Sequence, residues 1–284
     1  MNRKLTFSGH ETFHCKSIWL KKGYDFVEND GKFTDQACIE LGVGRNMVSS
    51  IRFWLKAFDI IDFKTEEITK IANFLFDDEL GKDKYLEDET SLWLLHYLIV
   101  TNDYSSIYSI IFNDFRKLKP EFDKTNLVSF VEGIQSDVNQ NTLSKDFSVF
   151  LRTYHSKNEK DKEDSFSGLL SDLELIQEIK KEGGSKYFIQ NTKQENIPEE
   201  LILFLILESD NYGMSISFKN LYSDFNSIGN IFAFSKDQLE NKLVKISEKF
   251  PDIIYSNKAG IKELQFKGGK PNSFEVLSEY YEQN

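Results

Sequence analysis

The segment that most restricts the fold is Phe33–Phe63, which reads FTDQACIELGVGRNMVSSIRFWLKAFDIIDF. Its pattern predicts a short helix, a tight turn at residues 42–44, a second helix over about residues 45–58 and then a short β-branched run. Thr34 can cap the first helix with its hydroxyl, and Gly42 and Gly44 can adopt positive φ in the turn. This order is typical of a winged helix-turn-helix.

The second of these helices has two distinct faces. Its apolar residues fall within a sector of roughly 100° and predict a core-facing stripe; they are Met47, Ile51, Trp54, Leu55 and Phe58. The opposite face predicts contacts with double-stranded DNA in the major groove. The residues assigned to it are Arg45, Asn46, Ser49, Arg52 and Lys56. The alternative is an amphipathic helix whose charged face is only solvated.

Composition indicates a globular and mainly α-helical protein. The chain has 284 residues, 40% of them hydrophobic, and prolines number only 4, which suits long helices. No apolar run is long enough to span a membrane, and the N-terminus lacks an apolar signal core. The expectation is a cytoplasmic protein without a disulfide framework, since the cysteines number 2.

Charge is distributed unevenly along the chain. The net charge is −11, but residues 1–56 carry nine Lys or Arg and six acidic residues, so this part is +3 and the remainder is −14. Only the N-terminal part is therefore expected to attract phosphate. The acidic remainder, from about Leu118 onward, is expected to contact a protein partner.

Apolar periodicity divides the rest of the chain into helices and a β-hairpin. The predicted helices cover Ile68–Phe76, Thr90–Val100, Tyr104–Phe115, Lys124–Gln135, Leu143–Tyr154, Glu199–Leu207, Ser217–Phe225 and a helix from Ser235 to about Phe250. The predicted hairpin pairs Ile253–Tyr255 with Ile261–Phe266, and a charged loop is predicted over residues 155–165. We therefore expect a winged helix-turn-helix domain (1–80), a helical middle domain (81–182) and a winged-helix-like C-terminal domain (183–284).

A cluster near the N-terminus combines residue types that bind zinc. It consists of His10, Glu11, His14 and Cys15. The spacing is not that of a zinc protease and no second cysteine pair exists, so the preferred prediction is buried hydrogen bonding without a metal. His96 is predicted to be a hydrogen-bonded core histidine. No phosphate-binding loop or nucleophile–base pattern is recognised, and the sequence predicts no cofactor and no catalytic residues.

Several segments together resemble a bacterial protein family. They are Ser8–Phe13 (SGHETF), Trp19–Tyr24 (WLKKGY), Leu41–Phe58, Tyr85–His96 and Thr142–Tyr154. The family is encoded beside phosphoadenosine-phosphosulfate-reductase-like and cysteine-desulfurase genes of DNA sulfur-modification and phage-defence islands. The resemblance spans nearly the whole chain. It implies a helical protein that acts with DNA or with a DNA-modifying complex, and it carries over no catalytic residues.

The basic face of the second helix and this resemblance together predict a non-catalytic, DNA-binding component of a bacterial DNA sulfur-modification (phosphorothioation) or phage-defence system, which recruits the modification enzymes or regulates their expression. Its expected partners are double-stranded DNA and sulfur-modification enzymes or other defence proteins. The alternative is an adaptor that contacts only proteins. A nuclease or another metal-dependent enzyme is a third possibility, which the residue pattern favours less.

Overall fold

The computed structural model describes residues 5–155, 167–258 and 260–283. About 52% of the chain is helical, and two small three-stranded antiparallel sheets accompany the helices. The mainly α prediction is therefore confirmed. The chain forms two compact units, residues 1–190 and 191–284. Most of the charged loop predicted over residues 155–165 lies outside the described residues.

Unit 1 is built on helices that the apolar periodicity largely predicts. They are α1 (Ser17–Glu28), α2 (Ala37–Glu40), α3 (Arg45–Ala57), α4 (Lys70–Phe76), α5 (Glu89–Thr101), α6 (Ser106–Ile110), α7 (Arg116–Leu118), α8 (Lys124–Ile134) and α9 (Gln140–Tyr154). A π-helical turn, Ile111–Phe115, joins α6 to α7. The sequence predicts this last region as one continuous helix, and the local change of pitch is not visible in its pattern.

Helices α1 and α3 pack closely through their apolar faces. Trp19 and Tyr24 of α1 and Trp54 of α3 are almost fully buried. A β-carbon at Gly23 would lie only 2.7 Å from a methyl carbon of Leu55, so the absence of a side chain there permits the close approach. This packing fixes the orientation of α3, and the opposite side of that helix is left facing solvent.

The turn before α3 differs in detail from its prediction. Gly42 adopts a left-handed φ of 60°, as expected, whereas Gly44 is the extended N-cap residue of α3 with a φ of −68°. Helix α2 has only four residues and no side-chain cap. The predicted role of the Thr34 hydroxyl is therefore wrong, because the helix starts later and Thr34 instead accepts a hydrogen bond from Ala37 through its backbone carbonyl.

The chain after α3 folds back on itself over a few residues. An isolated antiparallel bridge joins Ile61 to Ile68. The carboxylate of Asp62 accepts hydrogen bonds from the backbone N–H groups of Lys64 and Thr65 and so holds the intervening turn. The turn brings Glu66 back toward α3.

The second part of unit 1 is an aromatic core between α5, α6 and α9. Tyr108, Phe112, Phe150 and Tyr154 are buried in mutual ring contact. His96 is fully buried there, with Nδ1 2.7 Å from the hydroxyl of Tyr154. The prediction of a satisfied core histidine is confirmed.

A small sheet completes unit 1. It consists of β1 (Glu121–Phe122), β2 (Ile176–Lys181) and β3 (Gly184–Ile189) in the order β1-β3-β2. The sequence pattern predicts a strand only at Tyr187–Ile189, which is the second half of β3. The domain boundary predicted at residue 183 falls in the turn between β2 and β3, whereas the compact units divide after Gln190.

Unit 2 has the predicted order of helices followed by a hairpin. Its elements are α10 (Glu199–Glu208), β4 (Ser215–Ser217), α11 (Phe218–Ser223), α12 (Ile228–Ile231), α13 (Lys236–Lys249), β5 (Ile253–Lys258), β6 (Ile261–Phe266) and α14 (Ser273–Gln283). Ser235, at the predicted start of this helix, caps α13 in a reciprocal capping box with Gln238. The hairpin β5–β6 is confirmed, and β4 extends it to a sheet in the order β4-β6-β5.

The terminal helix α14 packs on α10. Val276 and Leu277 are buried, and the ring of Phe274 lies 5.3 Å from that of Phe204 on α10. The buried residues of the terminal helix therefore help to join it to α10. Within the described residues, no helix combines the length and apolarity needed to cross a bilayer.

Candidate nucleic-acid interface

The N-terminal half of α3 presents polar side chains to solvent. Arg45, Asn46 and Ser49 are all exposed. The Arg45 side chain is 77% exposed, and its guanidinium lies 3.5 Å from the equally exposed carboxylate of Asp35. Such an exposed pair holds its partners weakly. This part of the helix is therefore available to a macromolecular ligand.

The C-terminal half of α3 is electrostatically different. Arg52 donates from Nε to a carboxylate oxygen of Glu66 at 2.9 Å, and the Lys56 ammonium lies 2.5 Å from the same oxygen. Arg52 remains exposed, but Lys56 is only 9% exposed. Burial would raise the pKa of Glu66, yet the hydrogen bonds from Lys56 and Arg52 outweigh it and lower that pKa. One acidic residue thus holds two of the five side chains predicted to contact DNA.

A cavity of about 290 Å³ lies beside this ion cluster. Its lining residues come from α3 and from three other segments: Gly9, Phe33, Val48, Ser49, Arg52, Phe53, Lys56 and Tyr104. The Arg52 guanidinium sits 5.7 Å from the centre of the Phe33 ring, at a distance suited to a cation–π contact. Arg52 is therefore held both by Glu66 and by an aromatic ring, with one edge open to the cavity.

The N-terminal motif at residues 8–13 forms a fixed loop next to α3. His10 is buried, its Nδ1 accepts a hydrogen bond from the Thr12 backbone at 3.1 Å, and its Nε2 lies 3.0 Å from the Asp146 carboxylate. Asp146, itself buried on α9, also accepts from the Ser8 backbone N–H. Because Nδ1 accepts, Nε2 carries the proton that is donated to Asp146. Buried hydrogen bonding at His10 is thus as predicted.

Within the described residues, no three of His10, Glu11, His14 and Cys15 place ligand atoms within 4.8 Å of one another, and His14 is half-buried. Glu11 is exposed, whereas Cys15 is fully buried, and burial raises the pKa of its thiol well above the usual value. A raised pKa disfavours the thiolate that a metal would require. Both ring nitrogens of His10 are already engaged in the hydrogen bonds described above.

Three other acidic residues approach one another on the surface of unit 1. Asp25, Glu28 and Asp78 place carboxylate oxygens within 4.8 Å of one another. The Lys21 ammonium lies 2.5 Å from Asp25 and 2.9 Å from Asp78. This lysine already compensates part of the negative charge of the group.

In α13, the corresponding helix of unit 2, charged side chains form hydrogen bonds and ion pairs with other residues of the same unit. The Lys242 side chain is 6% exposed and donates to the carbonyls of Glu195 and Ile197 and to the carboxylate of Glu199. Glu240 accepts from Lys262 at 2.6 Å, from Asn257 at 3.0 Å and from Tyr255. The mixed charges seen in the sequence therefore serve mainly to attach α13 to its neighbours.

The sequence interpretation missed two acidic residues that organise the surface of unit 1. Glu66 lies beyond the predicted recognition helix, and only the return of the chain at Ile61–Ile68 brings it to Arg52. Asp146 occupies the buried side of α9 beside Phe147 and Phe150, and this isolated acid in an apolar helical face was the available signal.

Comparisons with known proteins give two similar solved structures and one matching family. A structure described as magnesium ion-bound SspB matches with a TM-score of 0.83 and 25% identity, over 98% of this chain and 88% of that chain. A second SspB crystal structure matches with a TM-score of 0.82 and 24% identity over the same shares. No curated protein matches significantly. The family described as "Protein of unknown function (DUF4007)" matches residues 7–281. The chain therefore belongs to the DUF4007 family.

Proposed function

We propose that this protein binds double-stranded DNA through α3 and acts as a non-catalytic component of a DNA phosphorothioation and phage-defence system. In this proposal residues 1–80 form a winged helix-turn-helix, with the return at Ile61–Ile68 as a short wing. Recruitment of the modification enzymes to DNA and regulation of their expression both fit this role. Unit 2 provides a second winged-helix-like arrangement that serves protein contacts.

The observation that carries the proposal is the exposed polar surface at the start of α3. Arg45, Asn46 and Ser49 follow the Gly42 turn and lie opposite the side that packs on α1. The N-terminal residues of a recognition helix are those that reach base edges in the major groove. Arginine and asparagine are the side chains that recognise guanine and adenine through paired hydrogen bonds.

Arg52 and Lys56 take a different part in this proposal. Arg52 is exposed and can exchange Glu66 for a phosphate, whereas Lys56 is too buried to reach DNA without a local rearrangement. Phosphate binding at this end of α3 therefore competes with Glu66. In this proposal Arg45, Asn46 and Ser49 contact the DNA bases. Arg52 contacts the DNA phosphate backbone, and Lys56 adds positive charge from its buried position beside Arg52.

The proposed link to DNA phosphorothioation rests on the similarity to SspB. SspB is a protein of a phosphorothioation system, and the similarity to it covers nearly the whole of this chain. This supports a role beside the enzymes that place sulfur in DNA. A protein-only adaptor is the alternative, and the excess of negative charge after residue 56 favours it.

A magnesium-dependent enzyme acting on DNA strands is a second candidate function. The observation that favours it is that one of the similar SspB structures was solved with magnesium bound. In this chain the carboxylates of Asp25, Glu28 and Asp78 are close enough to share a cation, although Lys21 lies against two of them. Hard oxygen ligands of this kind suit magnesium.

Fluorescence anisotropy with a labelled duplex tests the leading proposal. The variant Arg45→Ala/Ser49→Ala should bind at least about tenfold more weakly than the unchanged protein, since a good base contact contributes about 1–3 kcal/mol. The control Lys236→Ala/Lys245→Ala on α13 should bind normally. Equal binding by both variants would contradict the proposal.

Incubation of supercoiled plasmid with the purified protein and MgCl₂ separates the two candidates. The non-catalytic proposal predicts that the plasmid stays supercoiled. Nicking or linearisation that is lost in Asp25→Asn/Asp78→Asn would instead establish the magnesium-dependent enzyme.

A further inference from the structure

A groove along α9 is lined by cationic and hydroxyl side chains, and none of its described lining residues carries a carboxylate. The lining residues are Thr12, Lys124, Asn141, Ser144, Lys145, Ser148 and Arg152, around a cavity of about 450 Å³. Positions 141, 145, 148 and 152 recur at helical spacing and therefore share one face of α9. Lys124, the first residue of α8, adds a cation from a second element. We refer to these seven residues as the α9 groove.

Arg152 is held in place on one side of the groove by hydrogen bonds. Arg152 donates from Nη2 to the Thr12 carbonyl at 2.6 Å and from Nε to the Ser148 carbonyl at 3.3 Å. The guanidinium is thus fixed by two backbone carbonyls and not by an acid, so its positive charge is not neutralised by these contacts. Lys124 and Lys145 are exposed, and the groove therefore presents three cations.

The fixed loop at residues 8–13 connects this groove to the α3 surface. Gly9 lines the cavity beside Ser49 and Arg52, and Thr12 lines the α9 groove. Three residues of extended chain span at most about 10 Å. Gly9 and Thr12, which border the two surfaces, therefore lie no farther apart than about three nucleotides along a strand, which are spaced about 3.4 Å each.

Backbone conformation in this loop is unusual. Ser8, Glu11 and Thr12 adopt φ values of 75°, 47° and 63°, and Gly9 adopts 102°. Left-handed conformations at non-glycine residues cost energy and persist where surrounding contacts impose them. Here the hydrogen bonds from His10 and Ser8 to Asp146, together with that from Arg152, impose the conformation. The loop thus keeps both surfaces in a constant arrangement.

From this arrangement we infer that the α9 groove binds backbone phosphates of the same DNA duplex that α3 contacts. The inference rests on the proposed function and adds a second contact surface to it. Duplex DNA is favoured over an isolated anion because the groove extends along α9 and because the loop at residues 8–13 borders both the groove and the cavity beside α3. Lysine and serine side chains position such a backbone without reading its sequence.

The test measures DNA affinity by fluorescence anisotropy as KCl rises from about 50 to 200 mM. The variant Lys124→Ala/Lys145→Ala removes the two exposed cations and leaves the Arg152 contacts with the loop intact. Loss of two phosphate contacts should reduce the slope of log affinity against log salt by about 1.8. The affinity difference from the unchanged protein should then shrink roughly tenfold across this salt range.

A control with the same change of net charge is Lys117→Ala/Lys180→Ala, which alters exposed lysines of unit 1 outside the groove. It should keep the original slope. If Lys124→Ala/Lys145→Ala also keeps it while Arg45→Ala/Ser49→Ala weakens binding, the groove inference is overturned and the proposed function stands. If none of these variants alters DNA binding, both fail.

Calorimetry with inorganic phosphate distinguishes a free anion as the ligand. DNA-backbone binding predicts no saturable phosphate heat at millimolar concentration. Saturable phosphate binding that disappears in Lys124→Ala/Lys145→Ala, with an unchanged DNA slope, would replace the inference by a site for a small phosphate ligand.

Discussion

Helices α3 and α13 occupy similar positions in their own units, each followed by a chain reversal, yet they use charge in opposite ways. The start of α3 exposes Arg45, Asn46 and Ser49, whereas α13 directs Lys242 into its own unit and ties Glu240 to the hairpin. A charged helix face in a sequence therefore indicates either a ligand surface or an internal attachment. Which of the two applies depends on whether neighbouring segments provide hydrogen-bond acceptors for the charged side chains.

The largest expected effect concerns the internal attachment in unit 2. Lys242→Ala leaves the carbonyls of Glu195 and Ile197 without their ammonium donor and should lower the free energy of unfolding by about 2–3 kcal/mol. The control Lys245→Ala, whose side chain is 60% exposed, should change it by less than about 0.5 kcal/mol. Urea denaturation measures both. Equal stability of the two variants would mean that α13 is not held by its buried lysine.

Next in size is a pH effect at the end of α3. Burial, with a smaller contribution from Asp62, raises the pKa of Asp59 from 3.8 to about 6. Protonation of Asp59 is therefore more favourable in the folded state, and the stability it contributes below about pH 4 is lost as pH rises through about 6. Asp59→Asn should then stabilise the protein at neutral pH by roughly 1–2 kcal/mol, allowing for partial exposure, and change little near pH 4.

Thermal melting across this pH range measures the effect of Asp59→Asn. Asp30→Asn is a suitable control, because Asp30 is exposed and also has a left-handed φ, 61° against 57° at Asp59. If both variants shift the melting temperature equally, the change results from the tolerance of asparagine for a left-handed φ and not from loss of the carboxylate.

The smallest expected effect concerns how the charge of Glu66 beside α3 influences DNA affinity. Glu66→Gln keeps a hydrogen-bond acceptor for Lys56 but removes the charge that holds Arg52. Duplex binding should become a few-fold tighter at low salt, with a salt slope steeper by about 1. Glu67→Gln makes the same change of net charge at an exposed neighbouring position and should have a weaker effect. An equal gain in both would indicate a general charge effect.

Sequence reasoning recovered the parts of the fold that depend on local periodicity. Ile51, Trp54, Leu55 and Phe58 of the predicted stripe are fully buried, whereas Met47 is only half-buried, and Ser235 caps α13. The two-residue β1 was missed because its pairing with β3 joins residues more than sixty positions apart, whereas β2 was missed although it forms a local hairpin with β3. Local sequence patterns contain no information about such distant partners.

The surface of unit 1 was less predictable for the same reason. Helical spacing places Arg45 and Lys56 near one another on the wheel, but tertiary contacts expose the first and bury the second. The α9 groove combines Thr12, Lys124 and Arg152 from three separate segments. Its lysines and serines lie among ordinary polar positions of two amphipathic helices, so only the folded arrangement makes their common face visible.

Photo-crosslinking at one exposed asparagine on each of the two helices tests the central claim most directly. Asn46 on α3 and Asn241 on α13 are both exposed asparagines, and each can be replaced singly by the photoreactive residue benzoyl-phenylalanine in the full chain. Irradiation with a labelled duplex should give a covalent DNA adduct at position 46 and little at position 241. Efficient crosslinking at 241, with none at 46, would contradict the assignment of DNA binding to α3.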